Sequence, residues 1–190
     1  MTSTKAAFSP ESVYQLKVTL KDGKPSIWRR VQVPGKFSLL KLHQTLQVLM
    51  GWTDSHLHQF IIHGENYSIP SEDDLEPVID ERRHALWKIV PLEAMKFVYD
   101  YDFGDNWAHL IEVERILPPD PAFKHPVCLD GCRACPPEDI GGMWGYSMFL
   151  EAIGDPEHEE HESYQDWIDA EFDPEKFDMA EVNAALRKVK

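Results

Sequence analysis

The chain has 190 residues, of which 43% are hydrophobic and 27% charged, and its formal net charge is −14. A chain of that length suits one domain and buries roughly 70% of its unfolded surface without needing disulfide or metal staples. No apolar run approaches the ~20 residues of a membrane span, and the opening MTSTKAAFSP lacks the apolar core of a signal peptide; a cytoplasmic protein with no membrane partner is expected.

The charge is uneven. Residues 138–181 carry 15 Asp/Glu against one Lys, whereas the first 41 residues carry eight Lys/Arg against two acids. A basic front and an acidic back are read first as solvated surface. The front also qualifies as a phosphate-facing hairpin, or as the electrostatic partner of the back.

Residues 1–12 read as a disordered tail, with a single domain over 13–190. In 13–21, VYQLKVTLK, Tyr14, Leu16, Val18 and Leu20 alternate onto one face, as in a half-buried strand. Asp22-Gly23-Lys24-Pro25 is turn chemistry, and SIWRRVQV at 26–33 reads as the return strand of a hairpin. Ser38 can cap a helix over 39–50, with Leu39, Leu42, Leu46 and Leu49 at helical spacing and Gly51 as the stop.

After Gly51, the stretch 56–62 predicts a strand with His56, His58, Phe60 and Ile62 on one face. Residues 66–81 are polar and acidic, a loop with a short strand at 67–69; LWKIV at 86–90 reads as another strand. The clearest hairpin follows: Met95, Phe97, Tyr99, Tyr101 and Phe103 alternate, Gly104-Asp105-Asn106 turns the chain, and Trp107, His109, Ile111 and Val113 continue on the return. Pro118, Pro119 and Pro121 end it and lead into a loop that holds the cysteines.

From Tyr146 the pattern is helical. Helices are predicted over 147–153, stopped by Gly154; over 157–169, with Tyr164, Trp167 and Ile168 inward; and over 178–188, capped by Asp178 with Val182 and Leu186 on its apolar side. Hairpins first and helices last define an α+β fold: a mainly antiparallel sheet built from hairpins, one helix after the first hairpin, and a helical C-terminal third.

The unusual residue chemistry concentrates at 125–146, HPVCLDGCRACPPEDIGGMWGY. Cys128, Cys132 and Cys135 are spaced C-x3-C-x2-C, and as an odd, crowded set they fit a disulfide framework poorly. Thiolates that close can hold zinc with His125 or His109 as a fourth ligand; free thiols in a proline-tightened loop are the plainer reading. Glu138 and Asp139 follow two prolines, so their backbone is stiff; they qualify as a cation or amine site, a base, or a cap. His56, His58, Asp105 and His109 can converge as a histidine–carboxylate constellation, or remain hydrogen-bonded strand residues. Trp28-Arg29-Arg30 offers an aromatic platform with guanidinium groups for a phosphate or a base, or a structural Trp with paired arginines.

Several segments in order resemble the plasmid pRiA4b ORF-3-like family: YQLKVTLKDGKPSIWRR at 14–30, LHQTLQVLMGWTDSHLHQF at 42–60, YDYDFGDNWAHLIEVE at 99–114, RACPPEDIGGMWGYSMFLEAI at 133–153 and FDPEKFD at 172–178. The resemblance implies a bacterial or archaeal cytoplasmic α+β domain. Some members are labelled resolvases or transposon passenger proteins, which implies an association with mobile elements but no mechanism. The family usually reads Pro-Pro-Glu-Asp-Cys-Gly-Gly, where this chain has Ile140, and it more often lacks the cysteine found here at 132.

Recombinase catalysis is not expected. Ser9 and Ser12 have no arginine before Arg29, and Tyr164 sits in an acidic run that repels a phosphodiester. The leading reading is a binding or accessory domain, for a protein or small-molecule partner, without established catalysis. The alternatives are a metal-dependent enzyme, with zinc as the candidate metal, and a weak nucleic-acid binder; at −14, tight non-specific nucleic-acid binding is not expected. Any ligand is expected in a cleft between the 104–106 turn and the PPEDIGG loop, lined by Asp105, His109, Glu138 and Asp139 and walled by Trp144.

Overall fold

The computed structural model describes residues 9–72, 76–168 and 172–189. The first hairpin pairs β1 (Val13–Leu20) with β2 (Trp28–Pro34), Leu16 opposite Val31 and Tyr14 opposite Val33. Alternation works as the sequence predicts: Tyr14, Leu16, Val18 and Leu20 are all buried on one face. β3 (His58–Ile62) and β4 (Glu65–Ser68) form a second hairpin, and β5 (Ile79–Asp80) adds to β4 in parallel. β6 (Lys96–Tyr101) and β7 (Trp107–Leu117) form the third. One eight-stranded sheet results, in the order β5-β4-β3-β6-β7-β1-β2-β8, antiparallel except at β4–β5.

α1 (Leu39–Met50) covers the apolar face. Ser38 Oγ accepts from Lys41 N at 3.3 Å, and Gly51 closes the helix at φ 78°, a left-handed conformation that glycine adopts without the Cβ penalty. Leu39, Leu42, Leu46 and Leu49 point into the sheet and are buried. α3 (Gly142–Gly154), α4 (His161–Ile168) and α5 (Met179–Leu186) supply the helical C-terminal third, and Asp178 caps α5 by accepting from Ala180 N and Glu181 N. The fold is α+β. Among the described residues no helix is long and apolar enough to cross a membrane.

Several expectations need correction. LWKIV at 86–90 is not a strand: residues Leu86–Ile89 form α2, and Leu86 and Val90 are buried four apart, one helical turn, rather than in alternation. The cysteine stretch is not wholly a loop, because Val127–Cys132 is β8, an edge strand on β2 with a register shift at Arg30/Val31. Trp167 does not point inward; it is half-exposed, touching Phe149 only edge-on, whereas Tyr164 and Ile168 pack on the core. His56 precedes β3 instead of sharing its buried face, which belongs to His58, Phe60 and Ile62. Phe103 falls outside β6, in the turn, and is exposed. Of the expected N-terminal tail, residues 1–8 lie outside the described residues; the Glu11 and Ser12 carbonyls accept from Asp120 and Gly35. Residue 169 of the acidic helix also lies outside them.

The start of α3 is tightly fitted. A Cβ at Gly145 would collide with the carbonyl oxygen of Ile140, whereas one at Gly154 would meet nothing within 4 Å. Gly145→Ala is expected to lower stability by at least about 2 kcal/mol, because the backbone must move. Gly154→Ala is expected to change it by less than about 1 kcal/mol. Guanidinium unfolding midpoints of the two variants check the contrast.

Candidate functional site

Across β3, β6 and β7 the ladder aligns two rows on the buried face: Phe60–Tyr99–His109, and one step nearer the strand ends His58–Tyr101–Trp107. The second row is open at the sheet end, and the loop after α1 closes over it. Trp52 stacks on Tyr101 (ring centroids 5.1 Å apart), tilts against Trp107 and meets His109 edge-on. Its indole N–H donates to Pro136 O at 2.9 Å, tying the loop to the PPED stretch.

Thr53, Asp54 and Ser55 then each have a hydrogen-bond partner, and His56 is placed by ring and charge contacts. Thr53 donates to Glu138 Oε2 through both N (2.9 Å) and Oγ1 (2.6 Å), and Tyr101 OH donates to Oε1 at 2.6 Å. Burial, then this bond, raises the Tyr101 hydroxyl pKa. Ser55 N donates to the same hydroxyl oxygen. Asp54, at φ 59°, reaches inward to His43 Nε2 at 2.8 Å. His56 lies edge-on to Tyr101, with Nε2 3.1 Å from Asp139 Oδ1 and 3.7 Å from Asp102 Oδ2.

The turn Asp102–Asn106 presents Asp102 by an Asx arrangement: Oδ1 accepts from Gly104 N (2.9 Å) and Asp105 N (3.3 Å), which leaves Oδ2 facing His56. Asp105 Oδ2 accepts from Gly141 N at 3.0 Å, and Gly142, at φ 67°, lies so close that a Cβ would sit 2.5 Å from Asp105 O. The 102–106 turn and the 138–142 segment are therefore in contact.

The sequence-derived site residues divide accordingly. Asp105, Glu138 and Asp139 lie at this sheet end. His109 lies in the core beneath it, fully buried; Nδ1 donates to Tyr99 O at 3.3 Å, Nε2 has no partner, and burial pushes its pKa down to about 4. Trp144 is 77% exposed on the outer side of α3, whose inward side is Gly145, Tyr146, Phe149 and Ala152, so it does not wall a cleft over His109. His58 faces away from His56, into a buried pair: its ring stacks on His43 at 3.5 Å, nearly parallel, and its Nε2 meets both oxygens of the buried Glu81 at 3.0 and 3.1 Å. Burial first, and His58 second, lower the His43 pKa.

The structure does not bring the three thiols together. Among the described residues, two groups of three potential ligands lie within 4.8 Å of one another, His43–Asp54–His58 and His56–Asp102–Asp139, and neither contains a cysteine. Cys128 is buried and donates to Asp130 O, Cys132 is exposed, and Cys135 Sγ packs 3.0 Å from Met50 Sδ and 3.2 Å from Arg29 Nη2. Burial pushes the Cys135 thiol up to about 11 and raises that of Cys128, so both stay protonated at neutral pH. Of the basic front, Arg29 is interior: it donates to the carbonyls of Leu49, Trp28, Cys132 and Arg133 and stacks on Phe177 at 4.0 Å. Arg30 pairs with Glu114 at 2.7 and 2.8 Å. Neither is offered to a phosphate, and Trp28 lies under Arg30 and Lys17.

Three contributors were not singled out from the sequence: Asp102, Thr53 and Asp54. The signals exist. Asp-Phe-Gly-Asp-Asn is an Asx-turn string, and Thr-Asp-Ser-His is a polar run that starts two residues after the helix-stopping Gly51.

The family model of the plasmid pRiA4b ORF-3-like protein matches residues 12–181. The chain belongs to this family. Within it, the chain is 41% identical over 177 residues to the uncharacterized protein y4hQ of Sinorhizobium fredii (strain NBRC 101917 / NGR234), covering 92% of this chain and 91% of that one. A crystal structure of MM3350, a protein of unknown function from Methanosarcina mazei Go1, superposes with a TM-score of 0.82 at 40% identity, covering 90% of this chain and 97% of the other. The family match spans all the loops of the sheet end, from Trp52 to Gly142.

His109 makes the fold acid-sensitive. Its neutral form is favoured in the folded state, so its contribution is fully present above the unfolded pKa of about 6.5 and is lost as pH falls toward 4. His109→Phe is expected to reduce the stability lost between pH 7 and pH 4.5 by about 2 kcal/mol relative to the parent chain. Urea unfolding at both pH values checks it; an unchanged difference refutes a buried neutral imidazole.

Proposed function

We propose that this chain is a binding domain, without catalysis of its own, that takes up a cationic ligand at the sheet end where the 51–57, 102–106 and 136–141 loops meet. The observation that carries this reading is the charge of those loops: they hold Asp54, Asp102, Asp105, Glu138 and Asp139 and no Lys or Arg. Two of the loops also carry an exposed apolar side chain, Leu57 at 73% and Phe103 at 54%. Large exposed apolar groups beside fixed polar ones are the usual make-up of a recognition site. The Glu138 carboxylate already accepts three hydrogen bonds, which suits a clamp better than a general base.

The reading places the protein in the cytoplasm, in keeping with three free cysteines. It does not include nucleic acid as a partner, because Arg29 is interior, Arg30 is paired and the net charge is −14.

Titration calorimetry with a divalent metal chloride and with spermidine tests it. One saturable site is expected for a cation, weakened at least about tenfold in Asp102→Asn plus Asp139→Asn. Random duplex DNA is expected to show no mobility shift at micromolar protein in about 0.15 M salt. No cation binding, or a sub-micromolar DNA complex, overturns the reading.

A further inference from the structure

Resting on that cationic reading, we infer that His56, Asp102 and Asp139 form a binding site for one divalent transition-metal ion of the zinc class. The spacing supports it. A tetrahedral ion with ligand bonds of about 2.0–2.1 Å sets its ligand atoms about 3.3–3.4 Å apart. His56 Nε2 lies 3.1 Å from Asp139 Oδ1 and 3.7 Å from Asp102 Oδ2, on either side of that value, and all three ligand atoms fall within 4.8 Å of one another.

A second observation is independent of the distances. The His56 side chain is 28% exposed, but its Nε2 atom is turned away from solvent and makes no hydrogen bond, although two carboxylate oxygens are near. Asp102 Oδ2 is too far for a hydrogen bond, and Asp139 Oδ1 is near enough but not aligned for one. A buried imidazole nitrogen without a partner is costly unless its lone pair serves another group. An ion lodged among the three atoms would use that lone pair.

The surroundings are of the kind that holds a ligand set in place. Asp102 Oδ1 is fixed by Gly104 N and Asp105 N while Oδ2 stays free. Two carboxylates and a neutral imidazole balance a doubly charged ion, and Glu138 and Asp105 add negative potential close by. Three protein ligands leave one position for water or for a donor atom of a ligand.

The other candidate group, His43–Asp54–His58, lacks this geometry. Its imidazoles stack with planes 3° apart, so their in-plane lone pairs run side by side without converging. Both nitrogens of His43 already meet Tyr99 OH and Asp54.

The test titrates the tag-free full chain with Co2+ and Zn2+, following cobalt visible absorption, calorimetry and the His56 ring nitrogen by NMR. One ion per chain is expected, with a tetrahedral cobalt spectrum and a Zn2+-dependent shift of His56 Nε2 in the unaltered protein. His56→Ala and Asp139→Asn are each expected to weaken binding at least about tenfold, with circular dichroism unchanged. Cys132→Ser is expected to bind as the parent does. Loss of binding on Cys132→Ser with none on His56→Ala, or absence of any His56 shift at saturation, overturns the site. Spermidine binding that depends on Asp102 and Asp139, without metal binding, overturns the metal inference and leaves the cationic reading standing. Binding of neither overturns both.

Discussion

The sheet end is built around one carboxylate. Glu138 accepts from Tyr101 OH, Thr53 N and Thr53 Oγ1, so one side chain joins β6, the loop after α1 and the loop before α3. Hydrogen bonds to a charged acceptor are worth about 1.5–3 kcal/mol each in favourable settings, and these are partly screened by exposure. Their geometric effect exceeds their energy. Trp52 is held flat on Tyr101 because the chain on both sides of it is anchored, by Gln47 O at Gly51 and by Glu138 at Thr53. Without that anchor the row Tyr101–Trp107 would open to water, and Asp54 and His56 would lose their opposite orientations. The site is a consequence of closing the core.

The interior carries more polar chemistry than such closure requires, and two of its groups, around Arg29 and His43, are partnered within the fold. Arg29 has its donors directed at four carbonyls and a sulfur and its flat face on Phe177; it welds β2, β8 and the α1 terminus together. A buried cation satisfied by neutral acceptors is a structural device, since its removal would leave several of them unpaired. The His43 group is similar. Gln47 donates to Tyr99 OH, whose proton is then free for His43 Nδ1, so His43 presents Nε2–H to Asp54, the arrangement a neutral imidazole requires. His56 belongs to neither group. Its Nε2 makes no hydrogen bond and, unlike the unpartnered Nε2 of His109 in the core, has two carboxylate oxygens beside it.

The first and third hairpins were legible because period-two alternation over long runs has one interpretation; the β3–β4 hairpin was not, because Glu65–Ser68 is short and polar and reads largely as loop. Tyr14–Leu20 and Phe97–Tyr101 are buried on the face that alternation assigns. β8 was hidden by Asp130-Gly131 within it and prolines before it, and an edge strand needs only one partner, so its own sequence carries a weak signal. α2 was misread because five residues cannot distinguish the two periods until burial at Leu86 and Val90 decides. At the site, Glu138, Asp139, Asp105 and His56 stood out as residue types. Asp102 did not, because it lies in the YDYDF alternation, where an aspartate reads as an outward spacer; its left-handed backbone at φ 56° turns it to His56 instead.

A fold shared at a TM-score of 0.82 accounts for the scaffold and leaves function to the site. Here no segment makes the site alone: residues near 54, 102 and 139 meet only once β6, β7 and the loop before α3 are in place. The remaining charge acts at longer range. Of the 15 carboxylates between 138 and 181, two stand at the sheet end, and others lie on α3, α4 and α5. Such a field attracts cations over about a Debye length, roughly 8 Å at physiological salt, and repels polyanions. The acidic C-terminal third therefore adds to the negative potential that the loops set up at the sheet end.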